Sequence, residues 1–143
     1  MHRTRTMTAT VGALVVVAAL AAGCTKNLEA FDSLQRVNAE RTARGLAPLA
    51  LDDTLVVKAQ AWAETMAAGA TVRHSTLTEG VPAGWTSLAE NVGSAGTVAE
   101  MHSLLMASPP HRANILEGRS NRIGTGVATA GGRIYVVQVF AGY

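Results

Sequence analysis

The sequence predicts an α+β fold, an α/β/α sandwich with a small antiparallel sheet between helical layers. Three observations lead there. Two amphipathic helical stripes occupy the first half of the chain, one carrying Leu34, Val37 and Arg41, the other Leu55, Ala59, Ala63 and Met66. Two alternating apolar segments close the chain, separated by Ala130-Gly131-Gly132, which permits a tight turn. The second segment is apolar on both faces, with Ile134, Val136 and Phe140 on one and Tyr135, Val137 and Val139 on the other, so it needs cover on both. Early helices and late strands must therefore pack together, and the 143 residues hold one domain behind a leader.

The leader comes first. Residues 1–8 are basic through Arg3 and Arg5, and residues 9–22 form an Ala/Val/Leu run shorter than the roughly 20 residues of a membrane span. Leu20-Ala21-Ala22-Gly23-Cys24 resembles a bacterial lipobox, although Ala21 stands where a large aliphatic is usual, and Ala19-Leu20-Ala21 also suits an ordinary signal peptidase. Cys24 is the only cysteine, so it has no intramolecular partner, and lipidation accounts for it. The expected organisation is a lipoprotein-type signal peptide over 1–23, a short tether over 24–30 and the folded domain over 31–143. Such a protein is secreted across the cytoplasmic membrane and lipid-anchored to it, facing outward. From Cys24 onward ten basic residues meet ten acidic ones, which leaves no electrostatic case for nucleic acid.

Within the domain, Leu28, Phe31, Leu34, Val37 and Arg41 space a first helix, which Gly45 closes and Pro48 keeps from resuming. Asp52-Asp53-Thr54 offers an N-cap for a second helix bearing Leu55, Ala59, Trp62, Ala63 and Met66 and ending near Gly69. Residues 71–96, with Pro82, Gly80, Gly84, Gly93 and Gly96 and no clean period, read as a functional loop. Residues 97–106 return to helix, with Val98, Met101, Leu104 and Leu105 apolar. Ser108-Pro109 starts a short helix reaching about Leu116, with Ser as N-cap and Pro at the first helical position. Residues 123–129 and 133–140 are the closing strands.

Three polar islands interrupt Ala-rich surroundings: Arg73-His74-Ser75, Glu90-Asn91, and Ser108-Pro109-Pro110-His111-Arg112. Each brings one group that binds metals or moves protons. Two neutral imidazoles and a carboxylate make a Zn2+-type donor set with a position left for water, and Glu90 can equally act as general base on such a water. The separations, 16 residues from His74 to Glu90 and 21 from Glu90 to His111, are too long for a local ligand motif. Structural roles compete with these. His111, in a first turn, serves a helix start as readily as ligation. Asn91 suits the satisfaction of backbone groups. Asn38 and Arg41 read as structural, Arg41 pinning its helix through hydrogen bonds. Ser108 reads as a cap, and neither it nor Ser75 lies in a nucleophile-elbow pattern. Trp62 reads as core and Trp85 as a cleft or surface aromatic.

The motifs in order resemble the CAP superfamily of cysteine-rich secretory proteins, antigen 5 and pathogenesis-related 1 proteins. Asn38-Ala39-Glu40-Arg41 with Gly45-Leu46-Ala47-Pro48-Leu49 is similar to that family's opening helix. His74-Ser75, Ala89-Glu90-Asn91-Val92-Gly93, Ser108 through Leu116, Ile123-Gly124-Thr125-Gly126 and Tyr135 through Phe140 follow in the family's order. The match covers residues 32–143 and is closest to the short, disulfide-free bacterial branch. It implies an α/β/α sandwich whose central cleft is lined by His74, Glu90 and His111, a set that in this family can hold a divalent metal. The second glutamate of the animal and plant members has no counterpart; the nearest acid is Glu100, about eleven residues ahead of His111.

Two functions follow. The first is a binding module at the cell envelope, holding a lipid, glycan or protein partner with or without Zn2+ or another divalent metal. The absent second glutamate and the lack of a defined nucleophile favour it. The alternative is a metal-dependent hydrolase using the His/His/Glu set.

Overall fold

The computed structural model describes residues 28–143. The leader 1–23, Cys24 and most of the 24–30 tether lie outside the described residues, and residues 28–30 are already helical. Residues 28–42 form α1. β1 (Ala50–Leu51), α2 (Asp53–Gly69), β2 (Ser87–Ala95), α3 (Val98–Ala107), α4 (Pro109–Ile115), β3 (Arg122–Ala130) and β4 (Arg133–Gly142) follow. The four strands form one sheet in the order β1-β3-β4-β2.

β4 organises this sheet. It pairs antiparallel with β3 through a two-residue turn in which Gly131 and Gly132 both have positive φ, 58° and 72°. On its other side it pairs antiparallel with β2 from Ser87↔Gly142 to Ala95↔Ile134. The sheet is antiparallel through these three long strands; the two-residue β1 adds a short parallel edge on β3. The two faces of β4 go to two cores. Ile134, Val136 and Phe140 join Leu34 and Val37 of α1, Val98, Met101 and Leu105 of α3, and Ile115 of α4. Tyr135, Val137, Val139 and Ala141 join Leu55, Ala59, Ala63 and Met66 of α2. One helix thus covers one face and three cover the other, and the sandwich follows from the strand's two-sided apolarity.

Residues 71–96 are only partly loop. Ser87–Ala95 is a nine-residue strand, so Glu90 and Asn91 project from sheet rather than from irregular chain. Leu104 and Phe31 also differ from their expected places. The buried stripe of α3 is Val98, Met101, His102 and Leu105, which leaves Leu104 exposed. Leu28 and Phe31 are exposed in the first described turn of α1, where Phe31 stands at a hollow of about 190 Å³ shared with Leu51 and Val56.

α2 meets β3 through glycine. Ile123 and Val127 of β3 face the three-helix core, while Gly124 and Gly126 face α2. A Cβ on Gly124 would lie 2.1 Å from the Leu55 carbonyl carbon, and one on Gly126 would lie 2.3 Å from that of Ala59. The helix backbone therefore rests directly on strand backbone. Beyond the end of β1 the outer edge of β3 is finished by Gln60, whose amide accepts from Val127 N–H (3.0 Å) and donates to Val127 C=O (3.1 Å).

Arg41 locks the other layer. Its side chain is 1% exposed and donates to the carbonyls of Ala47, Ile115 and Glu117, each at 2.9 Å, and of Ser120 at 3.3 Å. Asn38 clamps Leu49 in both directions, donating to its carbonyl (3.1 Å) and accepting from its N–H (2.8 Å). Together they tie α1 to the turn before β1 and to the chain between α4 and β3. Gly126→Ala is expected to destabilise the domain by roughly 3 kcal/mol, near the top of the usual cost of overpacking, because the obstructing atoms are backbone. Gly118→Ala, where a Cβ meets nothing within 4 Å, should change stability far less. Urea denaturation of both variants checks the contrast.

Candidate functional site

Glu90 and Asn91 are consecutive on a strand, so their side chains leave on opposite faces. Both are buried. On the α2 side the Glu90 carboxylate, only 2% exposed, sits against residues 74–75. Oε1 accepts from Ser75 N–H (2.9 Å) and lies 2.8 Å from His74 Nδ1, and Oε2 accepts from the Ser75 hydroxyl (2.6 Å). Three donors on a desolvated carboxylate are what allows it to remain there. Since a carboxylate can only accept, Nδ1 carries the proton. In the neutral ring Nε2 of His74 is then the lone-pair acceptor, and the side chain is 60% exposed.

On the other side Asn91 donates to His111 C=O (3.1 Å) and to Gln138 Oε1 (3.2 Å), and accepts from Asn114 Nδ2 (2.9 Å). Gln138 in turn donates to Ser33 of α1 (3.0 Å). This chain of amides binds β2, β4, α1 and α4, and it sets the position of the α4 backbone at His111. The His111 side chain is half-buried, with Nδ1 2.8 Å from the Ser108 hydroxyl. Ser108 occupies the N-cap position of α4 but makes no side-chain cap bond; its hydroxyl goes to His111 instead.

The segment bearing His74 is held from behind by α2. Trp62 Nε1–H donates to Arg73 C=O (2.8 Å), the Arg73 guanidinium lies 5.0 Å from the Trp62 ring centroid, and Lys58 Nζ donates to Thr76 C=O (2.9 Å). Trp62 is half-buried on the flank of its core rather than inside it, and Trp85 is exposed.

The structure thus joins His74 to Glu90, and His111 to Asn91, across the two faces of β2. Among the described residues no three of His, Cys, Asp and Glu converge to hold a metal. Glu90 does not suit ligation, because Oε1 is fully engaged and the remaining lone pair on Oε2 is buried. As a three-ligand zinc centre the set does not fit; the donor left exposed is the His74 imidazole. A carboxylate that fixes the tautomer of an exposed imidazole is, however, an arrangement that sharpens a histidine for binding.

Sequence motifs left several contributors without a role. Ser75 holds the carboxylate rather than acting as a nucleophile. Gln138 carries a visible signal, an amide in an otherwise apolar strand, which must find partners when buried. His102 lies in no motif, yet helical spacing from Val98 and Leu105 places it on the buried stripe. Its Nε2 is 3.6 Å from Glu40 Oε1, and its Nδ1 has no hydrogen-bond partner. Burial holds its pKa below the usual value, opposed by Glu40; the Arg36 charge adds to the lowering and Asp32 opposes it.

A family profile described as "CAP: Cysteine-rich secretory protein family" matches residues 34–140. Solved structures agree with the fold. An outer surface protein of Borrelia burgdorferi is similar at TM-score 0.67 and 18% identity, over 76% of this chain and 88% of that one. An extracellular protein containing a SCP domain from Bacillus anthracis gives TM-score 0.72 and 20% identity, over 82% of this chain and 41% of that one. A cysteine-rich secretory protein of Staphylococcus aureus gives 0.63 and 21%, over 82% and 40%. This chain therefore spans about two-fifths of the latter two. A search among curated proteins finds no match. The four-stranded sheet between one helix and three is a CAP-type sandwich, and the chain belongs to the cysteine-rich secretory protein (CAP) family.

Two measurements test the site. Asn91→Ala removes a fully buried amide and strands the Gln138 and Asn114 groups, so it should cost roughly 2–3 kcal/mol in denaturant unfolding. For His102 the neutral form is favoured in the fold. Above the unfolded-state pKa of about 6.5 its effect is nil. As pH falls below that value the unfolded chain takes up a proton that the folded chain resists. Stability should then decline by up to about 1.4 kcal/mol per pH unit until the folded pKa is passed. His102→Leu should remove that part of the acid slope, measured by unfolding between pH 7 and pH 5.

Proposed function

We propose that this chain is an extracytoplasmic CAP domain held at the cell envelope and working as a binding module, with His74 as its recognition group. The observation that carries this reading is the saturation of Glu90. Its carboxylate is buried and committed to three donors, so it orients an imidazole and is not free to serve as a base on water. The two serines near the histidines are likewise committed, Ser75 to Glu90 and Ser108 to His111. What remains open is a ring of fixed tautomer that accepts a hydrogen bond from a lipid, glycan or protein group, or coordinates a cation.

Zn2+ or another divalent ion enters this reading only through imidazole. His74 Nε2 would be the principal donor, with His111 the other imidazole at this end of the sheet, and the ion would supply a Lewis-acidic contact for a partner's oxygen. Export and surface attachment rest on the leader and on Cys24; that two structural relatives are an outer surface protein and an extracellular protein supports export.

Purified protein assayed with ester, phosphate-ester and peptide substrates is expected to show no turnover above background. Turnover abolished by both His74→Ala and Glu90→Gln would establish the hydrolase reading instead. Calorimetric titration with Zn2+ is expected to give one weak site lost in His74→Ala; unchanged binding in that variant would remove His74 from the metal reading. For attachment, mass spectrometry of the membrane fraction should find an acylated N-terminal Cys24, and Cys24→Ser should move the protein to the soluble fraction. An unacylated N-terminus at Ala22 or Gly23 would mean ordinary secretion.

A further inference from the structure

Beside residues 75–76 lies a groove of about 330 Å³ between α2 and the turn that ends at Gly80. This is within the range of small-molecule sites, roughly 300–1,000 Å³. It runs along the α2 positions from Thr54 to Thr65, a length of roughly 16 Å at the helical rise. Apart from Trp62, which flanks the core, these positions lie off the stripe that packs on the sheet. It involves neither His74 nor His111, and the inference stands apart from the reading of those residues.

Its lining has two parts. Val57, Ala61 and Trp62 make an apolar floor. Around them are hydroxyls of Thr54 and Thr76, the Lys58 ammonium, and the Glu79 carboxylate, for which no hydrogen bond or ion pair is found among the described residues. Lys58 uses one donor on Thr76 C=O and keeps others. One cation and one anion leave the groove without net charge.

We propose that this groove binds a neutral saccharide, one or two pyranose rings long. A pyranose has a C–H face for the apolar floor and a rim of hydroxyls that both donate and accept. Its rim can donate to Glu79 and accept from Lys58 and the threonines. An acyl chain would cover the same floor but leave these polar groups desolvated and unpaired, at a cost of about 1–3 kcal/mol each. A phosphate or carboxylate ligand would meet Lys58 and Glu79 together and gain little.

Trp62 reports on this groove, and Trp85 is the only other tryptophan. In a Trp85→Phe background of the full chain, Trp62 fluorescence is titrated with glucose, N-acetylglucosamine and their β-1,4-linked dimers, with decanoate in parallel. The expected result is a saturable change at millimolar saccharide, tighter for the dimers. Ala61→Arg, at an exposed helix position, should weaken it at least about tenfold, and Glu79→Gln should weaken it by about threefold to tenfold. Circular dichroism establishes that each variant is folded. A response to decanoate but not to saccharide overturns the proposal. So does no saturable response up to about 100 mM saccharide, or a response unchanged by Ala61→Arg.

Discussion

The domain turns on two adjacent buried polar residues in β2. Strand geometry sends Glu90 and Asn91 to opposite faces, and burial obliges each to find partners where it lands. Glu90 recruits the backbone N–H and hydroxyl of Ser75 and the ring of His74. Asn91 recruits the His111 carbonyl, Asn114 and Gln138. Two chain segments that are distant in sequence are thereby fixed against one edge strand. The histidines owe their places to the desolvation of β2 and not to each other.

The α2 layer acts on the same end of the site through close backbone approach. Because Gly124 and Gly126 carry no side chain, α2 lies directly on β3, and its far flank is carried to where Lys58 and Trp62 reach the 73–76 segment. A packing constraint in one strand thus reaches the imidazole of His74 through one rigid helix and two hydrogen bonds. The opposite layer is held by Arg41, whose four carbonyl partners lie in two separate turns. Burial draws its pKa down, with Glu117 opposing. A guanidinium with donors spread in a plane is suited to gathering several carbonyls that no regular hydrogen-bond ladder reaches.

Much of this was legible in the sequence because period and capping are local properties. The α2 cap at Asp52, the Ser108-Pro109 start of α4, the glycine turn of the hairpin and the two-sided apolarity of β4 all appear where the residues announce them. β2 did not announce itself. Ser87–Ala95 mixes Gly, Asn, Glu and Ser, and its strand form comes from pairing with β4 and from the helices that cover it. β1 is two residues long, below any periodic signal. His102 was reachable by helical spacing, but a polar residue on an apolar stripe is read as buried only when the neighbouring helix is known to cover it.

By itself the sequence determined the fold class, the four helices and the closing hairpin, and which polar side chains were candidates: His74, Glu90 and His111, with Asn38, Arg41, Asn91 and Ser108 in support. Each of those rests on local chemistry that a linear chain displays. Only the tertiary structure decided how the candidates divide. Neighbouring residues on a strand face opposite ways, so the apparent three-residue donor set became an oriented imidazole on one side of β2 and an amide network on the other. Which donor reaches a buried carboxylate depends on chain segments brought together by packing, and spacing along the sequence carries no record of it.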